Sequence, residues 1–422
     1  MSMGSLQDYH CDNIDIKKAQ IEEAVRVLLQ GLGEDINRDG LIKTPHRVAK
    51  AFLDGTRGYK QNVDDIVQGA LFSEAGLANN KVGHAGGVGG LVIVRDLDLF
   101  SYCESCLLPF HVKCHVGYVP SGHCVVGLSK LSRVAEVFAK RLQHPQRLAD
   151  EICAGLQQTV DPSGVAVVLQ CFHIHCPNGF LKTEISAGSG VFEDENDQIW
   201  REFFSLLKFR MSIADKNFSY WCPSVANVDT VSSDMGSAVT SIIRALGEDP
   251  SRKELVGTPS RFVKWLMNFK HCNINTTLDE FISKKSDIPT SNKQIYSELN
   301  LRFLSQCEHH LLPFHGVVHI GYFGVEEASP TKKSFLELIV QFYGFKLQVQ
   351  ERFTRQIAEI AAPVFGGDII VVAEASHTCM ISRGIEKFGS NTATVAVLGQ
   401  FSTDATARAL FLERLSRLSS PL

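Results

Sequence analysis

The sequence predicts an α+β protein made of two tandem copies of one domain. The first observation is a repeat, because Gly-Glu-Asp at residues 33–35 recurs at 247–249 and Cys-Glu at 103–104 recurs at 307–308. The second observation is that each copy contains apolar residues at helical spacing, followed by the alternating apolar residues typical of strands. Leading helices before strands and further helices indicate an antiparallel sheet that is covered by helices on one face.

Two copies of this length favour a duplicated domain over a solenoid, whose repeats are shorter. We predict an N-terminal tail over residues 1–20, a first repeat over 21–210, a polar linker over 211–233 and a second repeat over 234–422. The first copy has extra sequence, which we assign to the glycine-rich run at 83–90. We expect a flexible surface loop there.

The elements of the first copy follow from its apolar spacing and turn signals. Helical spacing predicts a helix over 21–29, and Thr44 before Pro45 predicts a second helix with the threonine as its N-cap. Alternation predicts strands over 91–99 and 112–119 as an antiparallel pair. Two helices and a β-branched strand are predicted to follow, over 131–142, 146–156 and 165–172.

Composition and charge exclude several classes of protein. An apolar fraction of 44% and a charged fraction of 21% are typical of globular proteins. The net charge of −4 argues against a nucleic-acid partner bound through bulk charge. No segment approaches the ~20 apolar residues of a membrane span, and residues 1–13 contain no signal peptide, so we expect a cytoplasmic protein without a membrane partner. We expect the 12 cysteines to be free thiols or metal ligands.

The second copy contains residues typical of a catalytic metal site. Sulfur and imidazole nitrogen are preferred ligands of zinc, and Cys307, His310 and Cys379 would fill three of its four positions. A catalytic zinc keeps the fourth position open for the water that it acidifies. His309 and His377 are then available for acid and base catalysis near neutral pH. For any one of these residues, the alternative is a buried cysteine or core histidine without a metal.

The first copy lacks part of this set. Its aligned stretch at 103–106 is Cys-Glu-Ser-Cys, so both histidines of the second copy are replaced. Cys103, Cys106 and His175, with Cys176 as a neighbour, still form a possible zinc-type set. Inert thiols are the favoured alternative.

Ser129, Lys130 and Arg133 of the first copy form a candidate anion site. They follow a strand directly and lie in the first turns of a predicted helix, where free N–H groups and the helix dipole favour an anion. Ser129 and Arg133 share one face of that helix. A solvated helix start is the alternative. Both cations are absent from the aligned residues of the second copy, which are Ser334, Phe335 and Leu338.

Two more residues of the second copy are candidates for substrate binding. The Glu351 carboxylate can accept two hydrogen bonds from a guanine edge, which the aligned Gln146 cannot. The alternative is a surface salt bridge between Glu351 and Arg355. Arg383 follows the His-x-Cys motif and is expected near the metal, whereas the first copy has Gly179 there.

Four separated motifs resemble those of GTP cyclohydrolase I in its tandem two-domain, plant-type form. They are Cys-Glu-His-His-Leu-Leu-Pro-Phe at 307–314, Gly-Leu-Ser-Lys-Leu at 127–131, Gln-Val-Gln-Glu-Arg at 348–352 and His-x-Cys-Met-x-x-Arg-Gly at 377–384. The resemblance covers both repeats nearly end to end. It implies two T-fold (tunnelling-fold) domains, which close into barrels by homo-oligomerisation. It also implies conversion of GTP and water to 7,8-dihydroneopterin triphosphate and formate, the first step of folate synthesis.

The resemblance implies a role for each matching residue. Zn²⁺ falls on Cys307, His310 and Cys379, and acid/base catalysis falls on His309 and His377. The implied guanine contacts are Glu351 and Gln350, and the implied triphosphate contacts are Arg383, Ser129, Lys130 and Arg133. The Thr-Pro-x-Arg-x-x-Lys motif adds phosphate contacts from a neighbouring subunit, through Arg47 and Lys50 or through Arg261 and Lys264.

Neither copy contains the whole set, because the second retains the metal and acid/base residues and the first retains the cationic residues. We therefore hypothesise composite sites, in which Ser129, Lys130 and Arg133 of a first repeat complete a pocket whose metal is bound by a second repeat. Three alternatives stay open. They are a non-catalytic or regulatory T-fold protein that binds a purine or pterin, a structural zinc protein, and a T-fold enzyme with another pterin or deazapurine substrate.

Overall fold

The computed structural model of the chain describes residues 5–73, 90–121, 124–175, 179–208, 232–270, 294–324, 328–384 and 390–418. Most of the glycine-rich run at 83–90 and most of the predicted linker at 211–233 lie outside these residues. Within the described ranges, no helix has the length and apolar character needed to cross a membrane.

Each repeat begins with helices and has two more helices beside its sheet, as the sequence predicts. The helices of the first repeat are α1 Ser5–Gly31, α2 Thr44–Gly55, α3 Val63–Val67, α4 Leu128–Ala139, α5 Pro145–Val160 and α6 Gln198–Lys208. Those of the second are α7 Ser233–Leu246, α8 Thr258–Met267, α9 Pro330–Gly344, α10 Gln350–Ala361, α11 Thr378–Ile381, α12 Gln400–Thr403 and α13 Ala405–Leu418. Because α1 begins at Ser5, most of the segment predicted as an N-terminal tail is helical.

Each repeat contains one five-stranded sheet, with the order β5-β2-β3-β6-β7 in the first and β10-β8-β9-β11-β12 in the second. The strands of the first repeat are β1 Leu71–Ser73, β2 Val92–Cys103, β3 Pro109–Val119, β4 Cys124–Val126, β5 Leu142–Gln143, β6 Gly164–His175 and β7 Gly179–Gly190. Those of the second are β8 Gln294–Cys307, β9 Pro313–Gly324, β10 Leu347–Gln348, β11 Ile369–His377 and β12 Thr392–Leu398. Neighbouring strands are antiparallel, except that the two-residue strands β5 and β10 pair in parallel with β2 and β8.

The same bulge interrupts β2 and β8, which gives the two sheets the same local geometry. Asp96 and Asn300 have φ angles of 58° and 60° at these bulges, a region that Asp and Asn tolerate better than most residues. Their N–H groups donate to Nδ1 of His115 and His319, each at 3.2 Å. Burial lowers the pKa of both imidazoles, so these histidines are neutral structural acceptors.

Both faces of each sheet are covered in part by helices. Val165 and Val167 of β6 lie in one apolar cluster with α4 and α5, which is the cover that the sequence predicts. Ala166 and Val168 point to the other face, where they pack with Trp200 of α6. In the second repeat, α12 and α13 occupy that other face. The sequence analysis did not predict this additional cover.

The leading helices of the two repeats pack together rather than apart. Ile21 and Leu28 of α1 lie in the same apolar cluster as Val239 and Ile242 of α7, together with the sheet of the second repeat. All four side chains are at most 1% exposed. The leading helices of both repeats therefore share one apolar core with the sheet of the second repeat, whereas the sheet of the first repeat has a core of its own.

Candidate metal centre and active site

The Cys-Glu-His-His stretch begins where β8 ends and turns back into β9. The Cys307 N–H donates to the Leu312 carbonyl at 2.9 Å, and the Leu311 N–H donates to the Cys307 carbonyl at 2.9 Å. Leu311 has a φ angle of 50°, in the left-handed region that leucine rarely adopts. This tight turn places the Cys307 Sγ atom 3.8 Å from Nδ1 of His310.

A second ligand loop follows β11. It contains His377 at the end of β11 and Cys379 in the one-turn helix α11. The ligand atoms of Cys307, His377 and Cys379 all lie within 4.8 Å of one another. The structure thus brings together Cys307 and Cys379, as expected. The third member of the group is His377, whereas the expected ligand His310 lies beside Cys307.

These side chains fit a zinc ion in ligand type and in spacing. Typical Zn–S and Zn–N bond lengths separate the ligand atoms of a tetrahedral site by about 3.3–3.8 Å, which a small contraction of this group reaches. The Cys379 thiol hydrogen-bonds to Cys307 and holds the pKa of Cys307 well below its usual range. The same bond, together with burial, raises the pKa of Cys379.

Gln350 fixes the orientation and the tautomer of His377. The Gln350 amide nitrogen donates to the carbonyls of Ala373 at 2.9 Å and Thr392 at 2.8 Å, so its oxygen faces His377 Nε2 at 2.7 Å. His377 Nε2 therefore carries the hydrogen, and Nδ1 keeps a lone pair. The ring also stacks on Phe314, with centroids 4.6 Å apart and planes 4° apart. We had expected Gln350 to contact guanine, but its side chain is 3% exposed and engaged here.

His309 lies beside the ligand group and is accessible to solvent. Its side chain is 34% exposed, and its Nε2 lies 3.9 Å from Oε1 of Glu308. The His309 and His310 ring centroids are 6.4 Å apart. An imidazole that exchanges protons with a substrate needs such access.

Glu308 joins the catalytic turn of the second repeat to the leading segment of the first. Its carboxylate is 3% exposed and accepts from Arg38 of the first repeat at 3.0 Å and from Arg352 of α10 at 2.7 Å. The Thr44 hydroxyl donates to the Glu308 carbonyl at 2.8 Å. A Cβ atom at Gly40 would collide with this carboxylate. We call this set the Glu308 interlock.

The first repeat has the same arrangement with the roles of the repeats exchanged. The Glu104 carboxylate, 4% exposed, accepts from Arg252 of the second repeat and from Arg147 of α5, each at 2.9 Å. The Thr258 hydroxyl donates to the Glu104 carbonyl at 2.6 Å. Thr44 was predicted to be the N-cap of α2, but the helix begins at Thr44 itself and has no side-chain cap. The Thr44 hydroxyl instead hydrogen-bonds to the other repeat. Each repeat therefore stabilises the Cys-Glu turn of the other through one arginine and one threonine.

A cleft of about 460 Å³ lies between the two repeats, beside the second ligand loop. Residues of both repeats line it, including Ser132, Arg133, Glu136 and Lys140 of the first and Ile381, Ser382 and Gly384 of the second. Lys140 Nζ donates to the Ser382 carbonyl at 3.2 Å. Burial lowers the pKa of Lys140 to about 8. The cationic helix of the first repeat and the ligand loop of the second thus face one cleft within one chain.

The other expected triphosphate residues have different surroundings. Ser129 is exposed at the start of α4, whereas Lys130 Nζ donates to the Ile66 carbonyl of its own repeat at 2.6 Å. Arg383 lies beside the metal ligands, because its Nε donates to the Cys379 carbonyl at 2.6 Å. Arg133 is the exposed cation of this group that lines the cleft.

Glu351 is exposed in the first turn of α10. Arg355 pairs with Glu359, at 3.8 Å. Among the residues that the structure describes, the alternative salt bridge between Glu351 and Arg355 is therefore not formed. The Glu351 carboxylate is accessible to a ligand.

The Thr-Pro helices α2 and α8 differ in what their basic residues contact. Arg261 Nε donates to the Ser105 carbonyl at 2.5 Å, so Arg261 supports the turn of the first repeat. Arg47 is half-buried, and Lys50 and Lys264 are exposed. These three stay candidates for a phosphate contact.

The first repeat brings together Cys103, Cys106 and His173, whose ligand atoms lie within 4.8 Å of one another. The sequence alignment had suggested His175 as the third member. In the second repeat the strand ends at His377 and a helical turn returns the chain, whereas β6 continues as a strand through His175. The side chain of His175 lies outside the described residues.

Sequence analysis missed several residues of this region. Glu308 and its partner Arg38 were not predicted, although a glutamate after the cysteine occurs in both copies while the following residues differ. The presence of this glutamate in both copies was the signal that could have indicated its structural role. Lys140 was missed because nothing in the local sequence indicates its neighbours. His173 aligns with His377 in the repeat, and this alignment was the signal for its place beside the cysteines.

Comparisons with known proteins agree with the motifs. A family model described as GTP cyclohydrolase I matches residues 21–207 and 235–416. GTP cyclohydrolase 1 of Solanum lycopersicum is 62% identical over 418 residues, covering 94% of this chain and 91% of that protein. The protein of the same name from Arabidopsis thaliana is 59% identical over 419 residues, covering 94% and 90%.

A shorter relative matches the length of one repeat only. GTP cyclohydrolase 1 of Dictyostelium discoideum is 44% identical over 193 residues, covering 44% of this chain and 77% of that protein.

With two helix-flanked, largely antiparallel sheets, the fold is that of two tandem T-fold domains. The chain belongs to the GTP cyclohydrolase I family.

Proposed function

We propose that the chain converts GTP and water to 7,8-dihydroneopterin triphosphate and formate, the first step of folate synthesis. The observation that supports this most is the group formed by Cys307, His377 and Cys379 in a member of this family. The name shared by the tomato and Arabidopsis relatives supports GTP as the substrate. A protein that only binds a purine has no need of such a ligand group.

Cys307, His310 and Cys379 would hold the metal, with both cysteines bound as thiolates. A zinc ion held there would acidify the attacking water and would keep one position open for it. We assign His310 as the third metal ligand because its Nδ1 is 3.8 Å from Cys307 Sγ. His377 then stays next to the metal as an imidazole.

Two histidines would move the protons. His377 has its Nε2–H held by Gln350, so Nδ1 is the atom that accepts a proton from the attacking water. His309, whose side chain is 34% exposed, donates to the purine nitrogen when the imidazole ring of the base opens. Stacking on Phe314 restricts His377 to the orientation that this transfer needs.

Substrate binding would draw on both repeats of the same chain. The exposed Glu351 carboxylate accepts from the guanine edge, and Arg383 beside the ligands binds phosphate. The shared cleft supports a contribution of Arg133, with Ser129 at the same helix start, to the triphosphate. Lys140 in the cleft adds a cation that the sequence analysis did not consider.

We also propose the domain limits 21–210 and 234–422, and homo-oligomers formed through the sheets. The family matches at 21–207 and 235–416 support these limits. Strands β7 and β12 each lie at the edge of a sheet within the chain, and such edges are available for pairing with another subunit.

The direct test is formate release from GTP by the full chain. We expect release that stops when a zinc chelator is added and returns when Zn²⁺ is restored, because the thiol and imidazole ligands prefer that ion. Product analysis should show a pterin triphosphate. GTP binding without formate release would favour a regulatory protein, and turnover insensitive to chelation would contradict the metal assignment.

The composite site predicts a specific effect of Arg133→Ala. Loss of one charged hydrogen bond to the triphosphate should raise KM for GTP by about 10–100-fold. The metal content should be unchanged, because Arg133 lies on the first repeat and is not a member of the ligand group. Steady-state kinetics and metal analysis of the same preparation measure both quantities.

Lys332→Ala is the matched control, since it removes a cation from the corresponding helix start of the second repeat. We expect wild-type KM for this variant, and equal effects of both substitutions would contradict the composite site. Point variants are better here than the isolated second repeat, 234–422, which lacks Arg38 and Thr44 of the Glu308 interlock. Inactivity of that fragment would not identify the missing group.

A further inference from the structure

We propose that Cys103, Cys106 and His173 form a second, non-catalytic metal centre in the first repeat, which binds a soft divalent cation such as Zn²⁺. Their ligand atoms lie within 4.8 Å of one another, and Cys106 Sγ is 3.4 Å from Nε2 of His173. Two sulfurs and one imidazole are a typical ligand set for zinc. A water molecule can complete the tetrahedron.

The turn that carries the two cysteines has the same geometry as the turn of the candidate active site. The Cys103 N–H donates to the Leu108 carbonyl at 2.9 Å, and the Leu107 N–H donates to the Cys103 carbonyl at 2.8 Å. Leu107 has a φ angle of 56°, in the left-handed region, as the corresponding leucine of the second repeat does. An unfavourable leucine conformation has thus been retained in both repeats, together with cysteine ligands.

The third ligand comes from the neighbouring strand at the corresponding position. His173 of β6 pairs opposite Phe110 of β3, just as the histidine at the end of β11 pairs opposite the equivalent phenylalanine of β9. His173 is 8% exposed and Cys103 is 5% exposed, so both ligands are buried in the fold. Cys106, the third ligand, is half-buried, so one side of the group stays accessible to a metal ion.

Other cysteines of this repeat show the contrasting, inert state. Cys114 and Cys171 are buried in the apolar core, and burial raises the pKa of Cys171 to about 12. Cys153 is also buried, and its thiol donates to Ser189 at 3.4 Å. Within the described ranges, none of these three belongs to a ligand group.

The first repeat lacks the residues that chemistry would need around its metal. Ser105 occupies the position of the exposed acid/base histidine, and its carbonyl is held by Arg261 of the second repeat. Gln146 replaces the guanine-binding carboxylate and donates to Asp150 at 2.9 Å. We therefore assign this centre a structural role, in which the metal ties the turn at 103–108 to β6.

Metal content of the full chain tests this proposal independently of turnover. We expect about two metal ions per wild-type chain and about one in Cys106→Ala, with the loss measured by elemental analysis. Cobalt substitution gives a second readout, because the thiolate-to-cobalt absorption should fall in the same variant. Cys153→Ser is the control and should retain about two ions.

A rescue variant guards against a general folding defect. Cys106→His installs the residue type found at the equivalent position of the second repeat, and it should restore about two ions per chain. One ion in the wild type, unchanged in Cys106→Ala, would overturn the proposal. A disulfide between Cys103 and Cys106 in chain purified under reducing conditions would also overturn it, in favour of a redox-active pair.

Discussion

The Cys379→Ser variant is expected to lose the active-site metal and nearly all release of formate from GTP. A hydroxyl replaces a thiolate ligand, and the neighbouring Cys307 loses the hydrogen bond that lowers its pKa. Loss of a residue that only supports a metal ligand lowers metal affinity by up to about 100-fold. We therefore expect loss of a ligand itself to lower the affinity by more than about 100-fold. Competition with a chelator measures the affinity, and formate release measures the activity.

Two histidine variants separate the ligand from the acid/base group. His310→Ala should lose the metal, whereas His377→Ala should retain it and lose turnover by about 10²–10⁴-fold. Both histidines lie close to the cysteine ligands, since His377 lies inside the 4.8 Å group and His310 lies beside Cys307. The two variants therefore distinguish which of them binds the metal. Metal loss in His377→Ala with retention in His310→Ala would reverse the two assignments. Cys153→Ser is the control for loss of a buried thiol.

The second large effect is expected for Arg38→Ala, although Arg38 lies in the first repeat and outside the ligand group. Its removal leaves the buried Glu308 carboxylate with Arg352 as its one remaining arginine partner among the described residues. Because Arg38 is 34% exposed, we expect a loss of about 1–3 kcal/mol in the free energy of unfolding. The turn that carries Cys307 should also loosen, which lowers metal affinity. Denaturant unfolding and chelator competition measure the two effects.

Arg26→Ala provides the matched control for this prediction. Arg26 is also an arginine of the first repeat, but its ion pairs with Glu22 and Glu23 are on the surface. Surface pairs of this kind contribute about 0–1 kcal/mol. Equal destabilisation by both variants, or normal metal affinity in Arg38→Ala, would contradict the interlock. Arg252→Ala tests its counterpart at Glu104 in the same way.

Local patterns in the sequence predict much of this fold. Alternation predicted the antiparallel pair of β2 and β3, and apolar spacing predicted the helices beside the sheet. The cover of the second face by α6 and α13 was not predicted. Short amphipathic helices at the end of a domain do not reveal which surface they occupy, since either face of a sheet can be apolar.

The candidate site was predicted where its residues form a motif, and not where they meet through the fold. Cys307 and Cys379 come from recognisable stretches and do approach each other. Arg38 lies 270 residues before Glu308, and an arginine in a loop carries no signal of such a partner. His173 replaced His175 because one strand continues where its counterpart turns, and strand ends are difficult to locate from sequence.

The reciprocal contacts of Glu104 and Glu308 also set an order for biosynthesis. Arg252 and Thr258, which complete the turn at Glu104, lie 148 and 154 residues later in the chain. A ribosome must therefore translate the start of the second repeat before the first can finish folding. A nascent chain that stops before Arg252 would hold a carboxylate without one of its two arginines, and should be a preferred substrate for chaperones and proteases.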